Sequence, residues 1–423
     1  MDVIDIMSAL IAFSAVFSFV NDKYFRLPRT IGLMLFALIL SLGLLIAGQF
    51  GWGVEKDALG LLRQLDFNRL LLQGMLGFLL FAGALDVEIN ELMKQKWVVL
   101  SLATFGVIFS TFSVASLVWV IFKFLGLPLA FIYCLLFGAL ISPTDPVAVL
   151  DTLKRLKAPK DLQTQMAGEA LFNDGAGVVV FIILLRIAAG GHGASVTEVG
   201  WLLLKEALGG ILFGLAAGVA AYQMLKKVDN YQVEILITLG LVTGGYALAN
   251  SLHTSGPLAM VVAGLLIGNH GRAFAMSEIT RKNLDTFWEL VDEILNALLF
   301  MLIGLEILAV QFTLQHLLAG VMAIPLVLLA RMASVALPIG ILRFRRRFSP
   351  HVVKILTWGG LRGGIAVALA LSLPKGSSRD AILVITYMVV IFSVIAQGLT
   401  IERFLQRWEA AGSRVPQAIA KQL

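Results

Sequence analysis

Ionisable residues are rare inside the apolar stretches of this chain, and those present sit beside helix breakers. Pro143-Thr144-Asp145-Pro146 interrupts an apolar run, with Gly138 to Ser142 before it and Val147 to Leu150 after it. Each proline lacks an N–H and clashes with the preceding turn, so a helix must open there. Opening frees backbone carbonyls and sets the Asp145 carboxylate beside them. The plainer alternative is a loop in which Asp145 caps a helix start. Apolar residues on both sides, with no polar linker, argue against it.

A second cluster is Gly168-Glu169-Ala170-Leu171-Phe172-Asn173-Asp174-Gly175. Glu169 and Asn173 are four apart and share a helix face. Asp174 is turned about 100 degrees from Asn173. A bare Asp at mid-membrane costs about 2.5–3.5 kcal/mol, so such a residue faces protein or water and serves a function by default. Arg331 lies inside another apolar run and needs a buried anion; Glu169 and Asp145 are the candidates. Trp358-Gly359-Gly360-Leu361-Arg362-Gly363-Gly364 puts four glycines around one arginine, a second candidate break.

These residues need a membrane around them. The chain is 59% hydrophobic and 14% charged, against near half and a quarter in soluble domains. Apolar stretches of roughly twenty residues, each long enough to cross a bilayer as a helix, recur throughout. They fall near 3–20, 29–49, 68–86, 97–125, 132–151, 164–189, 199–226, 232–251, 256–270, 284–306, 312–342, 350–372 and 379–402. The expectation is an all-α integral membrane protein of 13 transmembrane helices. The acidic N-terminus, Met1-Asp2-Val3-Ile4-Asp5, lacks the basic region of a cleaved signal, so the first stretch reads as a retained helix. A single cysteine, Cys134, excludes an internal disulfide and a thiolate cluster and reads as a small buried residue.

Loop charge sets the orientation. Lys and Arg crowd the loops after odd-numbered spans, as in Lys154, Arg155, Lys157 and Lys160, or Arg343 to Arg347 without Phe344. Loops after even-numbered spans are poorer, although Lys56, Arg63 and Arg69 fall in the second. This places the N-terminus outside and the C-terminus in the cytoplasm. The net charge of +6 follows from those loops and does not argue for nucleic acid. Spans three and ten end alike, in Phe81-Ala82-Gly83-Ala84-Leu85-Asp86 and Leu302-Ile303-Gly304-Leu305-Glu306. The breaks in spans five and twelve are also seven spans apart. An odd offset reverses the direction of the copy, which predicts two inverted six-helix repeats with unwound crossing helices 5 and 12 and a site near the midplane.

Pro143-Thr144-Asp145-Pro146, the Gly168-Glu169 … Phe172-Asn173-Asp174 stretch and Gly359-Gly360-Leu361-Arg362-Gly363 together resemble the signatures of cation/proton antiporters of the NhaP–NHE type, in order and at comparable spacing. The resemblance implies that Asp174 takes either cation or proton, and that Asp145 and Thr144 complete a Na+ site. Asn173 occupies the place of a second Asp in electrogenic relatives, which implies electroneutral, one-for-one exchange. Glu169 and Arg331 would form a structural ion pair, and Arg362 would be structural or gating. It also implies an interface or dimerisation domain over 1–90 and 199–310, a core ion-transport domain over 97–190 and 312–402, and a short cytoplasmic tail over 403–423. One position departs: Ala170 stands where the family often has a serine ligand, so lithium and potassium stay beside sodium as candidate cations.

The expected chemistry is competition. A carboxylate binds a hard cation through oxygen or binds a proton, and cannot hold both strongly. The chain would then be a secondary transporter in the plasma membrane rather than an enzyme, with no cofactor. Its partners would be a monovalent cation, the proton, membrane lipid and a second copy of itself. The competing readings are a sodium-coupled symporter or a cation channel on a similar scaffold. A membrane hydrolase using Asp145 and Asp174 as a dyad is the remaining one. His192, His253, His270, His316 and His351 lie in loops or near span ends and carry no assigned role.

Overall fold

The structure is a computed structural model that describes residues 3–50, 60, 70–127, 129–190, 196–310, 312–349 and 351–407. Lys56, Arg63, Arg69, His192, the start of the 68–86 stretch and the tail beyond 407 lie outside the described residues.

Backbone polar groups find no water in lipid, so a spanning chain satisfies them within helices. The described chain follows that rule. Its helices are α1 (Val3–Val20), α2 (Arg29–Gln49), α3 (Leu70–Leu85), α4 (Ile89–Phe124), α5 (Phe131–Ile141), α6 (Val147–Arg155), α7 (Lys160–Gly190) and α8 (Val196–Leu225). They continue as α9 (Tyr231–Ser251), α10 (Gly256–Leu266), α11 (Glu278–Glu306), α12 (Leu314–Leu342), α13 (Val352–Trp358), α14 (Gly364–Leu371) and α15 (Ser377–Arg407). Eight helices among the described residues are long and apolar enough to cross a membrane, and α3 and α5 are shorter apolar ones. This is a multi-pass helical membrane protein. Exposed side chains such as Phe124, Trp201, Leu236 and Ile341 form the outward surface lipid would cover.

Several helices outrun the apolar stretches that announce them. α4 starts at Ile89 rather than near 97, α7 at Lys160 rather than 164, and α11 at Glu278 rather than 284. Their polar first turns carry helix caps or face a water-accessible cavity, which apolarity cannot register. Ser277 caps α11 by accepting from the Thr280 amide at 3.4 Å.

Packing is closest within two sets. α4, α5, α7, α12, α13, α14 and α15 interlock, and α2, α3, α8, α9, α10 and α11 form the other set. Trp288 of α11 packs at the centre of the second. It is buried, its ring lies 4.8 Å from that of Phe81 on α3, and its Nε1 donates to Thr238 Oγ1 on α9 at 3.1 Å.

Two apolar stretches are not continuous helices. Between α5 and α6 the backbone is non-helical over 142–146, and between α13 and α14 over 359–363. The two open segments cross. The Asp145 amide donates to the Leu361 carbonyl at 2.9 Å, an antiparallel bridge and the one β-type pairing among the described residues.

Candidate cation site at the crossed helix breaks

Unwinding at Pro143 and Pro146 leaves the last carbonyls of α5 without helical donors. Arg362 supplies them. Its Nη1 donates to the Ser142 carbonyl at 2.7 Å and to the Pro143 carbonyl at 2.8 Å, and its side chain is buried. A cation at a helix C-terminus also opposes the helix dipole. Arg362 is held in turn by α15, where Ser393 Oγ accepts from its amide at 2.9 Å. Ser393 opens a π-helical turn, Ser393–Gln397, at whose other end Gln397 Nε2 donates to the Trp358 carbonyl at 3.0 Å. A wide turn within α15 thus turns polar side chains onto the second break.

Asn173 of α7 fixes the first break from the other side. Its Nδ2 donates to Thr144 Oγ1 at 2.9 Å, and its Oδ1 accepts from the Thr144 amide at 3.4 Å. Both residues are buried. Asp145 makes the contact of a helix cap as well as the break: its Oδ1 accepts from the Val147 amide at 3.1 Å. The cap and the cation-ligand readings therefore coexist, since only one oxygen is engaged. Gly363 leaves room for the other. A Cβ there would sit 2.5 Å from Asp145 Oδ2.

Asp174, one residue after Asn173, faces the cavity and makes no hydrogen bond or ion pair among the described residues. Glu169, a turn earlier, is buried and paired. Arg331 Nη1 bonds its Oε1 and Arg331 Nη2 its Oε2 at 3.0 Å, a two-pronged bridge between α7 and α12. Of the two acids that could answer Arg331, Glu169 does so. The same guanidinium reaches the Leu356 carbonyl on α13 at 3.1 Å. The structure thus separates the acids of α7, one neutralised by Arg331 and one open to the cavity.

The cavity measures about 1160 Å³ and reaches Thr144, Asp145 and Asp174. Its wall carries eleven Asp and Glu against four Lys and Arg. Low-dielectric walls focus such a field and concentrate cations. Besides Asp145 and Asp174, the acids are Asp22 after α1, Asp86, Glu88 and Glu91 around the α3–α4 junction, Asp151 of α6, and Asp285, Glu289, Asp292 and Glu293 of α11. Ala170 lines the same cavity one turn before Asp174, so its methyl sits where an oxygen would be available. The carboxylates of α11 were missed in the sequence. Their signal is the acidic run Glu289, Asp292, Glu293 within a helix that continues into an apolar half.

The family model described as sodium/hydrogen exchanger, transmembrane, matches residues 7–407. The Na+/H+ antiporter NhaP of Pseudomonas aeruginosa is 48% identical over 96% of this chain and 96% of its own. The Na+/H+ antiporter NhaH of Halobacillus dabanensis is 36% identical over 91% of this chain and 93% of its own. Among solved structures, the sodium proton antiporter MjNhaP1 of Methanocaldococcus jannaschii superposes with a TM-score of 0.76, covering 96% of this chain and 99% of its own, at 20% identity. That last likeness concerns the fold. The chain belongs to the sodium/hydrogen exchanger family.

Proposed function

We propose that this member of the sodium/hydrogen exchanger family exchanges Na+ for H+ one for one, by rival occupation of Asp174, with Asp145 and Thr144 completing the cation site. The observation that carries the reading is the cavity itself. It brings water-accessible space to two carboxylates at the crossed breaks, and no basic side chain pairs with Asp174 among the described residues. A hard cation would find Asp174, the free oxygen of Asp145, the Thr144 hydroxyl and water. Burial favours the neutral form of a carboxyl and a cation beside it favours the charged form, so each occupant expels the other. Asn173 donates and accepts but does not titrate, so one carboxylate exchanging one proton for one cation moves no net charge. Glu169–Arg331 and Arg362 act as the frame: the first ties α7 to α12 and α13, the second ties the two breaks together.

The architecture in this reading has 13 spans, with α5–α6 and α13–α14 each one broken crossing, arranged as two inverted six-helix repeats. Residues 97–190 and 312–402 form the moving core, and 1–90 and 199–310 the interface through which two copies dimerise. The two packing sets agree with that division. The N-terminus lies outside the plasma membrane and the C-terminus inside, so the open vestibule faces the cytoplasm. The missing hydroxyl at Ala170 leaves lithium and potassium as secondary substrates. The test is a pH-dye assay in proteoliposomes driven in turn by Na+, Li+ and K+ gradients, with and without a valinomycin clamp. The Na+ response should be the largest and unaffected by the clamp; a clamp-dependent rate would defeat the one-for-one stoichiometry.

A further inference from the structure

Away from the crossed breaks, one acid stands without an explanation. Glu234 lies in the first turn of α9 and is fully buried, and neither of its carboxylate oxygens has a hydrogen-bond partner. None of the ion pairs among the described residues includes it. The groups that act on it are Asp229, the Asn230 backbone and the Thr280 hydroxyl. Asp229 is exposed, and its Oδ1 accepts from Thr280 Oγ1 at 3.4 Å, while Thr280 itself is buried. The arrangement is a buried acid below a second acid at the surface, with a hydroxyl between.

The N–H of the α9 cap residue, Asn230, acts on Glu234 without closing a hydrogen bond to it. The free amides at the start of α9 are taken by Asn230 Oδ1, which accepts from Gln232 and Val233 at 3.0 and 3.4 Å. Those at the start of α11 have Ser277 Oγ. An ionised carboxylate sealed from water with no cation costs several kcal/mol, more so beside a second one. No cationic side chain among the described residues pairs with it, and the Asp229 carboxylate and the Thr280 hydroxyl beside it both offer oxygen. Oxygen donors with carboxylate charge select hard cations.

We propose that Glu234, Asp229 and Thr280 form an oxygen-lined site for a hard cation, Na+ or Ca2+, separate from the transport site. None of the three lines the vestibule. An occupant would join α9 to the first turn of α11. One turn further along α9, Thr238 already holds Trp288 of α11, and α11 carries Asp285 and Asp292 into the vestibule. Occupancy would thus steady the helix that lines the cation's path.

The experiment uses the full chain, purified in detergent, in an Asp145→Asn/Asp174→Asn background that removes the transport carboxylates. Thermal unfolding is followed while NaCl, CaCl2 or choline chloride is raised at matched ionic strength. The expected result is a saturable rise in melting temperature of about 2 °C or more with Na+ or Ca2+ and none with choline. The cation that acts identifies the occupant. Adding Glu234→Gln should abolish the rise. Asp229→Asn, at the exposed mouth where folding is not at stake, should move half-saturation upward by about tenfold, equivalent to about 1.4 kcal/mol. No response to either cation, which would mean that a proton neutralises Glu234, overturns the proposal. So does a response that survives Glu234→Gln. Because the transport carboxylates are absent, neither outcome bears on the exchange reading.

Discussion

Asn173 grips Thr144 twice, through Nδ2 to the hydroxyl oxygen at 2.9 Å and through Oδ1 to the amide at 3.4 Å. One amide side chain therefore serves as the splint of an opened helix and as the neutral neighbour of Asp174. Replacing it by alanine strands a buried hydroxyl and a buried N–H. Asn173→Ala should lower stability by about 1–3 kcal/mol and weaken the apparent Na+ affinity. Chemical unfolding in detergent and a Na+ titration of exchange check both.

Glu169 and Arg331 should behave as one unit. Removing one partner of a buried pair leaves a lone charge and costs about 3–5 kcal/mol. Glu169→Ala should lose that much, and the Glu169→Ala/Arg331→Ala double variant should lose far less than the sum. A double-mutant cycle on unfolding free energy measures the coupling. Additive losses would separate the two residues.

Gly363 has to lack a side chain, because a Cβ would meet Asp145 Oδ2 at 2.5 Å. Gly363→Ala should displace that carboxylate and reduce exchange by about tenfold or more. Gly43→Ala on α2 is the control, since nothing lies within 4 Å of its Cβ. Transport rates at equal reconstituted protein compare them.

Ala170→Ser returns an oxygen to the cavity wall one turn from Asp174. The apparent affinity for Na+ should rise several-fold, by about 1 kcal/mol, with a smaller change for K+. A selectivity series in proteoliposomes reads the ratio, and equal shifts for both ions would remove Ala170 from the site.

The first break was legible because its cause is local: two prolines around Thr144-Asp145 forbid a helix whatever surrounds them. The same holds for the glycine-flanked Arg362. Their partners were not legible. The Asp145–Leu361 bridge and the bonds from Arg362 to Ser142 and Pro143 join residues far apart in the chain, and composition carries no trace of such a crossing. Arg331 announced that an anion must exist, but Glu169 and Asp145 answered that need equally well until α7 and α12 were placed. The π turns of α4 and α15 were invisible, because widening a helix by one residue leaves the apolar pattern intact. The acids of α11 looked like blemishes in a span, and only the vestibule gives Asp292 and Glu293 a common surface.

The central claim is competition at Asp174, and the sign of its pH dependence is fixed. Protons and Na+ vie for one carboxylate, so lowering pH must raise the Na+ concentration for half-maximal exchange. The most direct measurement is that half-maximal concentration in proteoliposomes across a pH series, for the wild-type chain and for Asp174→Asn. It should rise steadily toward acid pH, approaching about tenfold per pH unit once the carboxyl is mostly protonated, with maximal rate unchanged. The Asp174→Asn variant, folded in detergent, should show no Na+-driven proton movement. Half-saturation independent of pH, or exchange persisting in that variant, would contradict the account.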